Sequence, residues 1–436
     1  MINKILENLK IADLNEMQLA SIEAAKKKGD IVLLSPTGSG KTLGFLLPII
    51  SQMDPEDTCI QTLVIAPSRE LVIQIEQVFR SMGTGFKVNS TYGGHLVKTE
   101  INNLKTPPAI LIGTPGRIAD HISRGRIDLD TISILVLDEF DKSLEFGFKE
   151  EMSYIIGQMK NVKKRFLTSA TAMDEIPEFT QMNSPITLDF LSNSDAIPVH
   201  LQLKSVTAIG KDKLNVLFRL LCKLGDEATL VFCNHREAVE RTSELLTAEG
   251  IRHGIFHGKM EQEDRERSLI KFRNGSVRVL ITTDLASRGL DIAEVRNIVH
   301  YQLPTTENIF IHRNGRTARM NAEGTAWLVL AEGDYAPKFI TEHVENIALD
   351  ENYPLPQQPF WTTIYIGSGK KDKINKTDIV GLLIKKGNLQ KEDVGLIEVQ
   401  DFTSFVAVNK DKAAGLIRAV ENEKIKKKKV KIAIAR

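Results

Sequence analysis

Short apolar runs recur along this chain, each followed by a polar or glycine-bearing turn and then by a helical pattern. Over the first 190 residues the runs fall at 31–34, 62–66, 109–112, 134–138 and 165–168. Runs of Val, Ile and Leu without polar alternation suit strands buried on both faces, as in a parallel sheet. Between them, 69–80 and 147–159 repeat apolar residues at helical spacing. At the start, Ile5, Leu6 and Leu9 mark an amphipathic helix. A polar stretch, Leu191-Ser192-Asn193-Ser194-Asp195, then introduces a second series. Strands are predicted at 230–232, 255–256, 277–282, 298–300 and 325–330, with helices over 235–249 and 262–273. Two such series predict two α/β domains in tandem.

After the proline-broken connector Asn352-Tyr353-Pro354-Leu355-Pro356-Gln357-Gln358-Pro359 the rhythm changes. A strand over 362–366 is followed by a helix that Thr377 caps and Gly387 stops. Residues 394–400 and 404–408 alternate like two antiparallel strands, 410–421 reads as a helix, and 430–434 as a last strand. The order βαββαβ is that of an RNA-recognition motif. The predicted domains are therefore 1–195, 196–345 and 361–436, with 346–360 as a linker.

A length of 436 residues agrees, at roughly 150 per domain, with about three domains. No apolar run reaches the ~18 residues of a membrane span, and no apolar signal core follows the N-terminus. Cys59, Cys222 and Cys233 are scattered without metal-ligand spacing and suit a reducing cytoplasm. The net charge of +1 conceals an asymmetry. Residues 361–436 carry 17 Lys and Arg against nine Asp and Glu, so the preceding 360 residues sum to −7. A basic tail of that kind suits a polyanion.

The chemistry is concentrated after two strands. Following the first, Ser35-Pro36-Thr37-Gly38-Ser39-Gly40-Lys41-Thr42 is a small-residue turn leading into a helix. Such a turn aims backbone N–H groups at phosphates, while Lys41 neutralises their charge and the Thr42 hydroxyl can ligate Mg²⁺. About a hundred residues later, a second strand ends in Asp138-Glu139-Phe140-Asp141. Asp138 is placed to hold the metal ion, and Glu139 to activate the water that attacks the γ-phosphate. Together these predict ATP hydrolysis with Mg²⁺.

With these motifs the chain resembles the DEAD-box RNA helicases over nearly all of residues 1–345, with Phe140 where the family usually has Ala. Further matches are Gln18, Pro67-Ser68-Arg69-Glu70-Leu71, Gly93-Gly94, Thr114-Pro115-Gly116-Arg117, Ser169-Ala170-Thr171 and Val231-Phe232-Cys233-Asn234. The Gln262/Arg265 pair, the stretch from Thr283 to Asp291 and His312-Arg313-Asn314-Gly315-Arg316-Thr317-Ala318-Arg319 complete the set. The resemblance implies two RecA-like domains. It implies that Gln18 reads adenine, Asp291 contacts the ribose, and Arg316 and Arg319 act as arginine fingers. His312 would link to the Asp141 region. Arg69, Gly94, Thr114, Arg117, Arg265, Thr283 and Gly289 would contact the RNA backbone, positioning the strand without reading its sequence. Phosphate cradle and fingers lie in different halves, so ATP and RNA together would complete the catalytic site. Ile11 departs from the Phe usual in the adenine motif, Glu16 from Pro, and Ala318 from Gly; none of these changes removes a charged catalytic group.

Residues 361–436 resemble the RNA-binding domain of the DbpA group of this family. The match runs through Thr363-Ile364-Tyr365-Ile366-Gly367, Asp378-Ile379-Val380-Gly381, Val394-Gly395-Leu396-Ile397-Glu398-Val399 and Phe405-Val406-Ala407-Val408. That likeness implies a grip on large-subunit ribosomal RNA and a role in ribosome assembly. Lys370, Lys371 and Lys373, with Lys424 and Lys426 to Lys429, are the phosphate-contact candidates. Tyr365 and Phe405 lie on the strands that usually stack bases, and core packing is the stronger expectation for Phe405. No obligate partner protein is evident, and a monomer is expected. The same engine could serve messenger RNA decay or cold adaptation, or a clamp without catalysis; the presence of Glu139, Arg316 and Arg319 argues against the clamp.

Overall fold

A computed structural model describes residues 1–36, 38–94, 97–173, 175–191, 201–287, 295–317, 323–421, 423–426 and 428–435. The described chain forms two compact units, one built on the described residues up to 191 and the other on those from 201 onward. No described helix is long and apolar enough to cross a membrane.

The first unit is a seven-stranded parallel sheet. Its strands are β1 (Ile31–Leu34), β2 (Thr62–Ile65), β3 (Val88–Thr91), β4 (Ile110–Gly113), β5 (Ile134–Leu137), β6 (Lys164–Ser169) and β7 (Ile186–Asp189). Successive side chains point to opposite faces, so each central strand feeds two cores. Ile31, Val64, Ile110, Ile112 and Val136 enter one core, which the helices Lys41–Ile50 and Arg69–Met82 cover. Val32, Leu63, Leu111, Leu135 and Leu167 enter the other, under the helices Pro115–Ser123 and Lys149–Gln158. Burial on both faces explains why the strands read as unbroken apolar runs.

The order across the sheet is β3-β4-β2-β5-β6-β1-β7. The chain leaves β1 and re-enters three places away at β2, and β5 and β6 later fill the gap. The carboxyl ends of β5, β6 and β1 are thereby neighbours, the place where open parallel sheets bind ligands.

The helix after β1 contains Pro48. Proline has no N–H, so the carbonyl of Gly44 loses its i+4 helical donor. The buried Ser21 hydroxyl donates to that carbonyl at 2.6 Å instead. Ser21 belongs to the helix Glu16–Ala25, which carries Gln18, so the hydrogen bond ties this helix to the one behind the glycine turn.

The second unit repeats the plan. Its strands are β8 (Leu201–Thr207), β9 (Thr229–Phe232), β10 (His253–Phe256), β11 (Val279–Thr282), β12 (Asn297–His300), β13 (Gly324–Leu330) and β14 (Glu345–Asn346). They are parallel, in the order β10-β11-β9-β12-β13-β8-β14. The proline-broken connector is pinned to this sheet domain. Arg219 donates to the Asp350 carbonyl, and Tyr353 packs on the core beneath Lys223.

The same unit ends in an antiparallel sheet of β15 (Trp361–Ile366), β16 (Val394–Val399), β17 (Ser404–Asn409) and, after the small hairpin β18 (Lys424–Ile425) and β19 (Lys428–Lys429), β20 (Ile432–Ile434). Its order is β16-β17-β15-β20, with the helices Lys376–Lys385 and Lys410–Val420 on one face. These are the βαββαβ elements predicted. One detail differs. Asn375, not Thr377, caps the first helix, accepting from Asp378 N at 2.9 Å while the Asp378 carboxylate accepts from Asn375 N. An Asn followed three residues later by Asp satisfies two orphan amides at once, which a hydroxyl inside the first turn cannot do.

Candidate functional site

Ser35 extends β1, and its N–H donates to Ser169 at the end of β6. The chain then turns. Ser35 Oγ donates to Ser39 Oγ at 2.7 Å, and Ser39 Oγ to the Pro36 carbonyl at 2.8 Å. Gly38 and Gly40 both have φ near +85° to +88°, a left-handed backbone that favours glycine. A Cβ on Gly40 would also stand 2.6 Å from Gln18 Nε2. Gly40 caps the helix that starts at Lys41. The buried Lys41 ammonium folds over the turn, donating to the carbonyls of Ser35 at 2.5 Å and Pro36 at 2.8 Å. Thr42 is half-buried in the first turn of that helix. A cation, a glycine turn and a helix N-terminus in one place suit a polyphosphate.

Gln18 touches this turn. Its Nε2 donates to the Gly40 carbonyl at 3.2 Å. Its Oε1 accepts from Asn15 N–H, while Asn15 Oδ1 accepts from Gln18 N–H, closing a reciprocal cap. Asn15 Nδ2 also donates to the Ser39 carbonyl at 2.8 Å. Asn15 was not among the residues the sequence singled out. Its signal was present, since Asn followed three residues later by Gln is a capping pair.

Asp138 and Glu139 leave the end of β5, beside β6 and one strand from β1. Asp138 is 3% exposed. Its Oδ1 accepts from Thr168 Oγ1 at 2.5 Å. Burial pushes the Asp138 carboxyl up from its ordinary value, and the Thr168 hydroxyl and the Lys41 charge oppose this. Glu139 has φ +46°, ψ +52°, and its N–H donates to the same Thr168 hydroxyl at 3.1 Å. Asp141 accepts from Thr171 Oγ1 at 3.2 Å, and Ser169 Oγ donates to the Thr171 carbonyl. The motif on β6 therefore meets the Asp-Glu-Phe-Asp motif within one unit. Phe140 finds its room in the core, fully buried with its ring centroid 6.0 Å from that of Phe179.

A second cluster of the first unit gathers at the ends of β2, β3 and β4. Arg69 opens a helix capped by Ser68, whose Oγ accepts from Leu71 N. Its guanidinium lies against Gly93 and Gly94, and Gly94 has φ +86°. Thr114 caps the helix bearing Arg117, and its N–H donates to Thr91. Glu100, 1% exposed and missed in the sequence, holds this cluster together. Its carboxylate accepts from Tyr92 N at 3.1 Å and lies 3.3 Å from Arg117 Nε and 2.9 Å from His121 Nε2. Arg69, Gly94, Thr114 and Arg117 are thus brought together in the first unit.

In the second unit Arg265 is 6% exposed, its guanidinium 5.2 Å from the Phe256 ring centre. Thr283 follows β11, with its carbonyl accepting from Thr282 Oγ1. His312 and Arg316 are each 2% exposed. Their neighbour Arg313 is fully buried and donates to Asp284, Gln302 and Asn234, a structural hub that sequence matching did not distinguish. Thr37, Gly289, Asp291 and Arg319 lie outside the described residues.

Lys370, Lys371 and Lys373 are exposed on the loop after β15. Lys426 joins them, donating to the Lys373 carbonyl at 2.5 Å and pairing with Asp378 at 2.8 Å. The aromatic pair lies elsewhere. Tyr365 and Phe405 are directly opposed across β15 and β17, with ring centroids 5.7 Å apart. They pack with Ala435 against Ile270 of the helix Gln262–Arg273. Around them Asn274 Nδ2 donates to Thr363 Oγ1 at 2.9 Å, Arg273 pairs with Glu398 at 3.1 Å, and Gln400 donates to Glu266 at 3.1 Å. Phe405 is packed, as expected, but in this seam and not in the module's own core.

Family comparison matches three successive segments of the chain. The DEAD/DEAH box helicase profile matches residues 15–179, the helicase conserved C-terminal domain 212–321, and the DbpA RNA binding domain 363–434. The chain is 30% identical to the ATP-dependent RNA helicase DbpA of Escherichia coli over 99% of this chain and 98% of that protein. It is 27% identical to DbpA of Bacillus subtilis over 98% and 96%. Dbp5 of Saccharomyces cerevisiae, solved bound to RNA and ADP BeF3, superposes with a TM-score of 0.68 at 26% identity, covering 79% of this chain and 93% of that one. With both helicase domains and the RNA-binding module matched in order, the chain belongs to the DEAD-box ATP-dependent RNA helicases of the DbpA type.

Proposed function

We propose that this helicase acts on large-subunit ribosomal RNA during ribosome assembly, as a cytoplasmic monomer. The observation that carries this reading is the C-terminal module, matched as a DbpA RNA binding domain, with Lys370, Lys371 and Lys373 exposed on one loop. Tethering through such a module raises the local concentration of nearby duplexes around the helicase domains. Lys424 and Lys429 extend the basic surface.

Within the first unit, the turn from Ser35 to Thr42 cradles the triphosphate and Gln18 reads the adenine. The residues present fit a magnesium ion: a buried carboxylate at Asp138, a hydroxyl at Thr42, and the glycine cradle that a Cβ would fill. When bound, Mg²⁺ neutralises charge on the β- and γ-phosphates. Glu139 takes the proton of the attacking water as its oxygen bonds to the γ-phosphorus and the bond to the β–γ bridging oxygen breaks. Arg316 and Arg319, with His312 beside them in sequence, meet the charge of that transition state; Asp291 holds the ribose. Neither unit by itself carries the whole set. Arg69, Gly94, Thr114, Arg117, Arg265, Thr283 and Gly289 hold the RNA backbone.

The test is RNA-stimulated phosphate release by the full chain. Large-subunit ribosomal RNA fragments should stimulate at lower concentration than unrelated RNA of equal length. Changing Lys370, Lys371 and Lys373 to Glu should erase the difference. Equal stimulation by both RNAs in the unaltered chain would overturn the ribosomal assignment, and unchanged turnover in Glu139→Gln would overturn the base.

A further inference from the structure

We propose that Thr168 is a positioning residue for hydrolysis, its hydroxyl locking the Asp138 carboxylate and the Glu139 peptide into one geometry. This rests on the reading above that Asp138 faces the metal ion and Glu139 the water.

The register of the sheet creates the contact. β5 and β6 pair with Leu137 opposite Leu167, so the next residues, Asp138 and Thr168, face each other where β5 ends. Thr168 is wholly buried. A hydroxyl has one proton and two lone pairs. The carboxylate can only accept, so the proton lies between Thr168 Oγ1 and Asp138 Oδ1, over 2.5 Å. A lone pair receives the Glu139 N–H over 3.1 Å. With both commitments made, the rotor has one setting, and it fixes one oxygen of the carboxylate that faces the cradle.

The second contact has its own purpose. Glu139 adopts a left-handed backbone that costs a residue with a Cβ roughly 1 kcal/mol or more. It stands at the start of the helix Phe140–Glu145 without a side-chain cap bond there. The Thr168 hydroxyl, arriving from the neighbouring strand, accepts this peptide N–H. One buried oxygen thus orients the carboxylate of one catalytic residue and the backbone of the next. Such support is what holds a reacting constellation to within a fraction of an ångström.

The experiment measures the affinity of the full chain for a fluorescent ADP analogue, with and without Mg²⁺, alongside thermal unfolding and steady-state ATPase. The variants are Thr168→Val, which keeps the shape and removes the hydroxyl, Thr168→Ser, which keeps the hydroxyl, and Asp138→Asn. Thr168→Val should lose about tenfold of the affinity that Mg²⁺ adds, the scale of one hydrogen bond to a charged group. Its kcat should fall about tenfold or more, with the RNA concentration for half-stimulation unchanged. Affinity without Mg²⁺ should stay within twofold, and Thr168→Ser should restore every value to within about threefold. Should valine depress the folded yield, Thr168→Ala, which cannot overpack, carries the same expectations. A full Mg²⁺ increment in Thr168→Val, equal losses in the Ser and Val variants, or an equal loss without Mg²⁺ would each overturn the positioning role. Asp138→Asn separates the two readings: if it keeps the Mg²⁺ increment, the metal assignment to Asp138 is wrong, whereas if it loses the increment and Thr168→Val does not, only the role of Thr168 falls.

Discussion

Replacing Ser21 by Ala should destabilise the first unit by an amount that depends on whether residue 48 is proline. The Ser21 hydroxyl is wholly buried and donates to Gly44 O at 2.6 Å. Pro48 supplies no N–H to that carbonyl, so Ser21→Ala leaves it without either donor. A buried polar group stripped of its partner costs about 1–3 kcal/mol, and about 2 is taken here. For a unit of this size, that corresponds to a fall in Tm of roughly 4–8 °C. In a Pro48→Ala background the alanine brings a backbone N–H that can bond Gly44 O through the helix. The cost of Ser21→Ala should then drop below about 1 kcal/mol, leaving a coupling energy of about 1–2 kcal/mol in the double-mutant cycle. Both tryptophans, Trp327 and Trp361, lie in the second unit, so their fluorescence cannot report this event. Urea unfolding followed by far-UV circular dichroism, with amide exchange of the peptide spanning 41–50, reads it directly. An identical cost of Ser21→Ala in both backgrounds would refute the reasoning, because the proline would then be irrelevant to what the hydroxyl does.

Three further outcomes are expected. Glu100→Ala should cost about 3 kcal/mol, since it leaves Arg117 and His121 facing a buried site without their carboxylate, and should weaken RNA binding while leaving nucleotide affinity unchanged; calorimetry and RNA titration check both. Burial and the Arg313 charge lower the His300 pKa to about 3, with the Asn314 hydrogen bond opposing them, so the folded unit resists a proton that the unfolded chain accepts near pH 6.5. Stability of the second unit is therefore full above that pH and falls by about 1.4 kcal/mol per unit below it, down to about pH 3. Urea midpoints read by tryptophan fluorescence at about pH 7.5 and about pH 5.5, either side of the unfolded value, should show the loss, and His300→Gln should reduce it, leaving the share of His253 and His257, whose pKa values burial also lowers. Finally, Ile270→Asp buries a charge against Tyr365 and Phe405; it should lower the stability of the seam by about 3 kcal/mol and shift the emission of Trp361, whose strand it supports.

Much of the architecture was legible because its causes are local. Strands buried on both faces need unbroken apolar runs, so β1, β2, β4, β5 and β6 announced themselves. The edge strands did not: β3 and β7 bury only part of their side chains, and Val88-Asn89-Ser90-Thr91 has no apolar run to read. The glycine turn and the Asp-Glu pair were legible for a similar reason, since a tight left-handed backbone demands small residues and metal chemistry demands carboxylates.

What the sequence could not determine is which distant atoms meet. Thr168 reads as one more residue of a strand until the order of the sheet sets β6 beside β5 and the register puts its hydroxyl opposite Asp138. Glu100 looks like a solvated helix charge until the fold withdraws it from water beside Arg117 and His121. Tyr365 and Phe405 have the identity of base-stacking residues, yet the helix carrying Ile270 takes that face. Propensity and spacing act within a few residues of one another, so the chain alone specifies its elements and the chemistry of its turns. Partners across strands and between packed faces are chosen only when burial selects one arrangement of the whole.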